Sequence, residues 1–201
     1  SFTTTILSDD GGFALNNIES SASMVLLTAN GYFFHEIYGE LSFAPLTLQA
    51  LATVKQGTTI NVNLMTHLIK ERIMALTASG INFPEARSQA QQELLSFFGI
   101  SLPFGTDNFE HADISRNDEV SAALLAISVA LQRSGATMSQ KPSLTAELTQ
   151  LLAFFGNDFK DDGIISNTSI GDTILHNIKM ADLAKVRQNL QQRYTDLGIS
   201  A

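Results

Sequence analysis

Two hydrophobic rhythms divide the chain. Up to about residue 64, apolar residues come in short runs or alternate with polar ones, which is the spacing of strands. Beyond it they return every three or four positions, the spacing of helices. In the first part, Phe2–Leu7 is rich in Thr and Ile and predicts a strand. Asp9-Asp10-Gly11-Gly12 predicts a tight turn, because Asp and Gly tolerate positive φ, and Phe13-Ala14-Leu15 resumes the alternation. Met24–Thr28 reads as a strand buried on both faces. Asn30-Gly31 is a turn dipeptide, followed by Tyr32-Phe33-Phe34. Leu46–Val54 and Thr59–Leu64 predict two more strands, joined as a hairpin by Lys55-Gln56-Gly57-Thr58.

From Met65 the helical period takes over. Met65, Leu68, Ile69, Ile73 and Leu76 share one face, with Gly80 as a stop. Asn82-Phe83-Pro84-Glu85 reads as a capping box with Pro in the first turn, and Phe83, Ala86, Ala90, Leu94 and Phe97 line the helix that follows, up to Phe98-Gly99-Ile100. Residues 101–117 read as a polar loop broken at Pro103 and Gly105. A third helix is expected from Asp118 to Arg133, with Val120, Ala123, Leu124, Ile127 and Leu131 inward. A fourth is capped by Ser143 and carries Leu144, Leu148, Leu151, Leu152 and Phe155. A short helix is expected over Ser169–Asn177. The last runs from Ala181 to Leu197, with Leu183, Val186, Leu190, Tyr194 and Leu197 inward. The fold class is therefore α+β: a partial antiparallel β-sandwich over 1–63, then an all-α domain of five to six helices over 64–201. No Gly/Ser linker separates them, so the two should pack rigidly.

Composition narrows the function. The chain has 201 residues, enough to bury a real core. Its net charge is −8, which repels phosphate backbones and anionic lipid and argues against nucleic acid as a partner. The 12 Lys and Arg are scattered. With no cysteine, disulfides, thiolate metal sites and Cys nucleophiles are excluded. The apolar stretches read as shorter than a bilayer span, so no membrane insertion is expected. Ser1 opens directly into a strand-like run, which reads as a processed or trimmed chain whose targeting information lay upstream.

Candidate chemistry is sparse. His35, His67, His111 and His176 are far apart, and none has a second His at HxH or HxxxH spacing. His67 with Glu71 one helical turn on is a metal pair in form, and a surface pair at a helix start otherwise. His111 lies in the acidic loop Glu110-His111-Ala112-Asp113, a conceivable ion site. Asp158-Phe159-Lys160-Asp161-Asp162-Gly163 has the look of a calcium loop, but Lys160 and Ser169 fall where oxygen ligands and a bidentate Glu are needed. A helix C-terminus stopped by Gly163 explains it better. Asp9-Asp10-Gly11-Gly12 is a turn before it is an ion site. Carboxylates for glycoside hydrolysis need not be adjacent in sequence, yet no strand-end arrangement suggests them. GxSxG, P-loop and GxGxxG patterns are lacking. We therefore expect no catalytic, cofactor-binding or metal-ligating residues, no cofactor, and no enzyme activity. There are 13 Phe and no Trp, with adjacent pairs at Phe33-Phe34, Phe97-Phe98 and Phe154-Phe155. These read as core, or alternatively as one member of a pair turned toward a neighbouring domain. Lack of Trp weighs against a sugar platform.

Thr5–Leu15, TILSDDGGFAL, resembles the strand–turn–strand of carboxypeptidase-regulatory-like and Ig-like β-sandwich domains. The succession INVNLMTHL (60–68), FFGI (97–100), DEVSAALLAISVALQRSG (118–135) and LTQLLAFFGNDFKDDGII (148–165) resembles exported, lipid-anchored surface proteins of Bacteroidetes and some other bacteria, in which such a β part precedes a helical domain. The resemblance implies an extracytoplasmic protein at the cell surface, outer membrane or periplasm. It implies a non-catalytic structural or adhesion module that meets other surface proteins or neighbouring domains of its own chain. A surface glycan- or small-ligand-binding protein is the alternative. It also implies a further strand upstream of Ser1. Without that strand, Phe2–Leu7 and Met24–Thr28 would offer an edge for homo-association.

Overall fold

The computed structural model describes residues 1–6, 11–16, 24–53, 57, 59–103, 105, 108–138 and 144–198. Among them are four strands, six α-helices and one 3-10 turn, with the strands confined to the N-terminal part. The α+β class and the helix number agree with expectation; the β architecture does not. Strand β1 (Val25–Gly31) pairs antiparallel with β4 (Leu46–Ala52), and a short ribbon, β2 (Phe34–His35) with β3 (Glu40–Leu41), lies within their connection. These are two separate two-stranded ribbons rather than the stacked sheets of a sandwich.

Several expected strands are not formed. Residues 2–6 and 13–15 have no regular structure, and Phe2, Ile6 and Phe13 are exposed. β-propensity stabilises a strand only against a partner and a buried face, and among the described residues no strand pairs with these segments. Leu7, Asp9 and Asp10 lie outside the described residues. Asn30-Gly31 does not turn. It continues the ladder opposite Thr47 and Leu46, and the Asn30 amide donates across the strands to Thr47 Oγ1 at 2.7 Å. Gln49 Nε2 makes a similar bridge to Thr28 Oγ1 at 3.3 Å, so polar cross-strand pairs pin the register. The hairpin from Leu46–Val54 to Thr59–Leu64 is also absent: β4 takes β1 as its neighbour, and most of the proposed turn lies outside the described residues. Residues 60–63 run extended into a helix start instead. The Asn61 N–H donates to the Glu110 carbonyl at 2.8 Å, and Asn63 becomes an N-cap.

The helices follow the sequence pattern closely. Helix α1 (Leu64–Ala78) opens with a reciprocal box between Asn63 and Thr66. Helix α2 (Phe83–Phe97) opens with the Asn82 side chain accepting from the Glu85 N–H, with Pro84 in its first turn. After the 3-10 turn Phe109–His111 come α3 (Glu119–Met138), α4 (Leu144–Asp162), α5 (Thr168–Lys179) and α6 (Leu183–Leu197). Ser143 is outside the described residues. One inward assignment fails: Leu183, at the first position of α6, is exposed, and the packed stripe begins at Val186. Beyond that first turn, α6 turns Val186, Asn189 and Leu190 inward.

One core unites the two parts. Leu46 and Leu51 of β4 belong to the same buried cluster as Met65, Leu68, Leu94, Ile127 and Phe155. Residue 64 is thus a capped helix start within a shared core. A second cluster, Val129, Val186 and Leu190 with Phe34 and Ile37 against it, seats α6 and the β2–β3 turn on α3. Glu119–Thr137 has a mean hydropathy of 1.2 and is long enough to cross a bilayer, contrary to the sequence reading, but 67% of it is buried inside the fold. It forms the central core helix here, packed by α4 and α5.

Candidate functional site

A buried polar cluster lies where the β2–β3 turn meets α3 and α6. Ser128 and Gln132 stand one turn apart on α3 and therefore share a face. Ser128 Oγ donates to Glu36 Oε1 at 3.2 Å, and Gln132 Nε2 donates to Glu36 Oε2. The Glu36 N–H returns a bond to Gln132 Oε1 at 3.1 Å, and Gln132 Nε2 also reaches Ser128 Oγ at 3.1 Å. From α6, Asn189 Nδ2 donates to the carbonyls of Glu36 and Ile37 at 2.8 and 3.0 Å. Gly39 closes the turn at φ +75, and a Cβ there would sit 2.7 Å from Asn189 Oδ1, so this position requires glycine.

Glu36 is 4% exposed. Burial pushes its carboxyl up to about 7, against the opposing pull of the hydrogen bonds from its backbone, Gln132 and Ser128. Tyr194 of α6 donates to the Ile114 carbonyl at 2.7 Å, and its phenol is raised by burial and then by the negative charges of Asp113 and Glu36. A raised carboxyl is the usual mark of a general acid, but proton transfer needs substrate within hydrogen-bond reach. Glu36 is sealed under the turn, so its chemistry is proton uptake coupled to packing.

Beside it a shallow cleft is lined by His35, Tyr38, Glu40, Ser42, Phe43 and Thr145, among others. The His35 and Tyr38 rings lie 4.5 Å apart. Ser42 Oγ is engaged by the loop itself, accepting from the Phe33 N–H at 3.1 Å and donating to the Ala44 carbonyl at 2.8 Å. The cleft holds about 10 Å³, the room of a single water, and does not fit a sugar ring.

The residues singled out from sequence are not brought together. His67 Nδ1 accepts the Gln49 N–H at 3.0 Å, which ties α1 to the outer edge of β4. Burial drives its imidazole down to about 4, with Lys70 adding and Glu71 opposing. Glu71 itself pairs with Lys70 at 2.7 Å. His111 is exposed, while its neighbour Glu110 is buried and bound to Arg87 at 2.9 Å. The Asp158–Gly163 run is a helix end: Asp158 accepts the Asn167 N–H and Asp162 the Ile164 N–H, at 2.9 and 3.0 Å. The carbonyls of Lys160 and Asp161 are taken by Arg72, at 3.3 and 2.7 Å. His176 is exposed in the last turn of α5. Among the described residues no three of His, Asp and Glu converge as metal ligands.

Two clusters went unread in the sequence. One is the Glu36 node. Its signal was Ser128 and Gln132 at four-residue spacing inside the most apolar helix. The other is Arg72, whose fork grips both oxygens of Glu93 at 2.8 Å each while it caps α4. Phe98 and Phe155 stack in the core, with Phe97 edge-on to both, while Phe154 is left exposed. Comparison with protein-family models, with curated proteins and with solved structures finds no match for this chain.

Proposed function

We propose that this chain is a non-catalytic binding module that works through protein–protein contact, with its β part as the contact surface. The observation that carries this reading is the exposure of large apolar side chains on its strands and the loops beside them: Leu26 and Leu41, with the aromatics Tyr32 and Phe43 65% and 67% exposed. Large exposed aromatics on a folded surface are typical anchors of protein interfaces. The Glu36 node supports the same reading. It clamps the turn that presents Leu41 and Phe43 and so pre-organises the surface. An extracytoplasmic, surface-associated setting, with neighbouring surface proteins or domains as partners, belongs to this proposal through the resemblance of its sequence motifs alone. Glycan binding is the weaker reading, because the cleft beside His35 is the size of a water.

The test compares wild type with a Tyr32→Ser, Leu41→Ser, Phe43→Ser variant as immobilised bait for the envelope fraction of the producing cells. A glycan array is run in parallel. A discrete protein retained by wild type and lost by the variant is the expected result. A glycan bound at micromolar affinity by both forms would overturn it.

A further inference from the structure

On the protein-contact reading above, we infer that β1 pairs with β1 of a second copy of this chain, edge to edge, antiparallel and two-fold about Thr28. The two edges of the β1–β4 ribbon differ. On the β4 side, the Gln49 N–H points away from β1 and is satisfied by His67 of α1. Gln49 faces Thr28, so this pair is of the non-hydrogen-bonded kind, in which both residues aim their backbone groups outward. Such pairs alternate along an antiparallel ladder. The outward N–H and C=O groups of β1 are therefore those of Leu26, Thr28 and Asn30. Among the described residues no strand pairs with this side of β1.

That edge matches itself. Its outward groups are symmetric about Thr28, so a two-fold copy sets Thr28 against Thr28 and Leu26 against Asn30 of the other chain. Each facing pair exchanges two bonds, about six in all. The same register brings the exposed Tyr32 of each copy beside Met24 of the other. Charge favours this occupant. The whole chain carries −8, yet β1 and β4 contain no charged residue, so the seam carries no repulsion. A neutral edge also offers nothing to select a basic or acidic peptide. The edge lacks the Lys, Pro or bulge with which monomeric proteins blunt exposed strands.

Sedimentation velocity over a concentration series, on the full chain, tests the pairing. Wild type is expected to move from monomer to dimer as concentration rises. Thr28→Asp and Thr28→Lys each place like charges at the two-fold axis, so each alone should stay monomeric, and an equimolar mixture should dimerise again. Thr28→Pro removes an outward N–H, together with the hydroxyl that accepts from Gln49, and should also be monomeric, with unchanged circular dichroism and a Tm lowered no further than in a Thr28→Val control that keeps the N–H and still dimerises. Wild type monomeric at every concentration overturns the inference. So does a dimer that persists in both charge variants, since association would then use another surface. Retention of a partner through Tyr32, Leu41 and Phe43 would survive either failure, which separates this inference from the contact reading itself.

Discussion

A carboxyl enclosed as Glu36 is keeps its proton in the fold over a range where the unfolded chain has lost it. Below its ordinary value of 4.5, Glu36 is neutral in both states. Between 4.5 and about 7 the unfolded chain ionises and the folded one does not, so stability falls as pH rises. Above that the loss levels off, on the order of 3 kcal/mol. Glu36→Gln should remove this slope. Urea unfolding on either side of the window should find the variant gaining stability relative to wild type toward alkaline pH; parallel curves would contradict the buried assignment. Gly39→Ala should destabilise by about 1–3 kcal/mol, because it joins a left-handed φ to a collision with Asn189. None of this was legible from the residue itself. Glu36 stands between His35 and Ile37 with no local partner, and its bonds come from Gln132 and Asn189, 96 and 153 positions away.

At the scale of elements, side chains close the ends and edges that backbone leaves open. His67 covers the β4 edge, so His67→Phe should cost about 1–3 kcal/mol by stranding the Gln49 N–H. Amide exchange at Gln49 should accelerate; unchanged protection would show that the bond contributes nothing. The imidazole is neutral in the fold down to about 4, whereas the unfolded chain takes up a proton near 6.5, so this element weakens as pH falls between those values. Glu36 and His67 thus act with opposite sign over nearly the same pH window, so their contributions largely offset each other in the wild-type protein. Arg72 joins α1, α2 and α4, and its guanidinium is raised chiefly by the hydrogen bonds to Glu93. Lysine cannot reproduce a two-pronged grip, and Arg72→Lys should lower Tm measurably even though the charge is kept. The helix starts were legible, since Asn82 and Asp118 cap within three residues of themselves. The edge closure was not, because His67 read as a surface pair with Glu71 at a helix start, or in form a metal pair, when its partner was a backbone group of another element.

For the whole molecule, the aromatic core and the junction make separate expectations. Phe155→Ala removes a ring packed against Phe97, Phe98 and Phe159 and should cost about 3–5 kcal/mol, while exposed Phe154→Ala should stay near wild type in thermal melts. Limited proteolysis should cut within 101–117 before it cuts near residue 64. There Asn63 Nδ2 is held by the carbonyls of Phe109 and Ala112 at 2.8 and 3.2 Å, and early cleavage at 64 would deny a rigid junction. The order of strands before helices, the helix faces and most helix boundaries could be read from residues alone. Periodicity, caps and stop glycines act over one or two turns and need no distant neighbour. Strand pairing could not be read so. Phe2–Leu7 and Thr59–Leu64 carry as good a β pattern as Val25–Gly31, but a strand exists only where a second one meets it. The choice of β4 for β1, and the enclosure of Glu36 between helices far along the chain, were settled by which surfaces the packed core brought together.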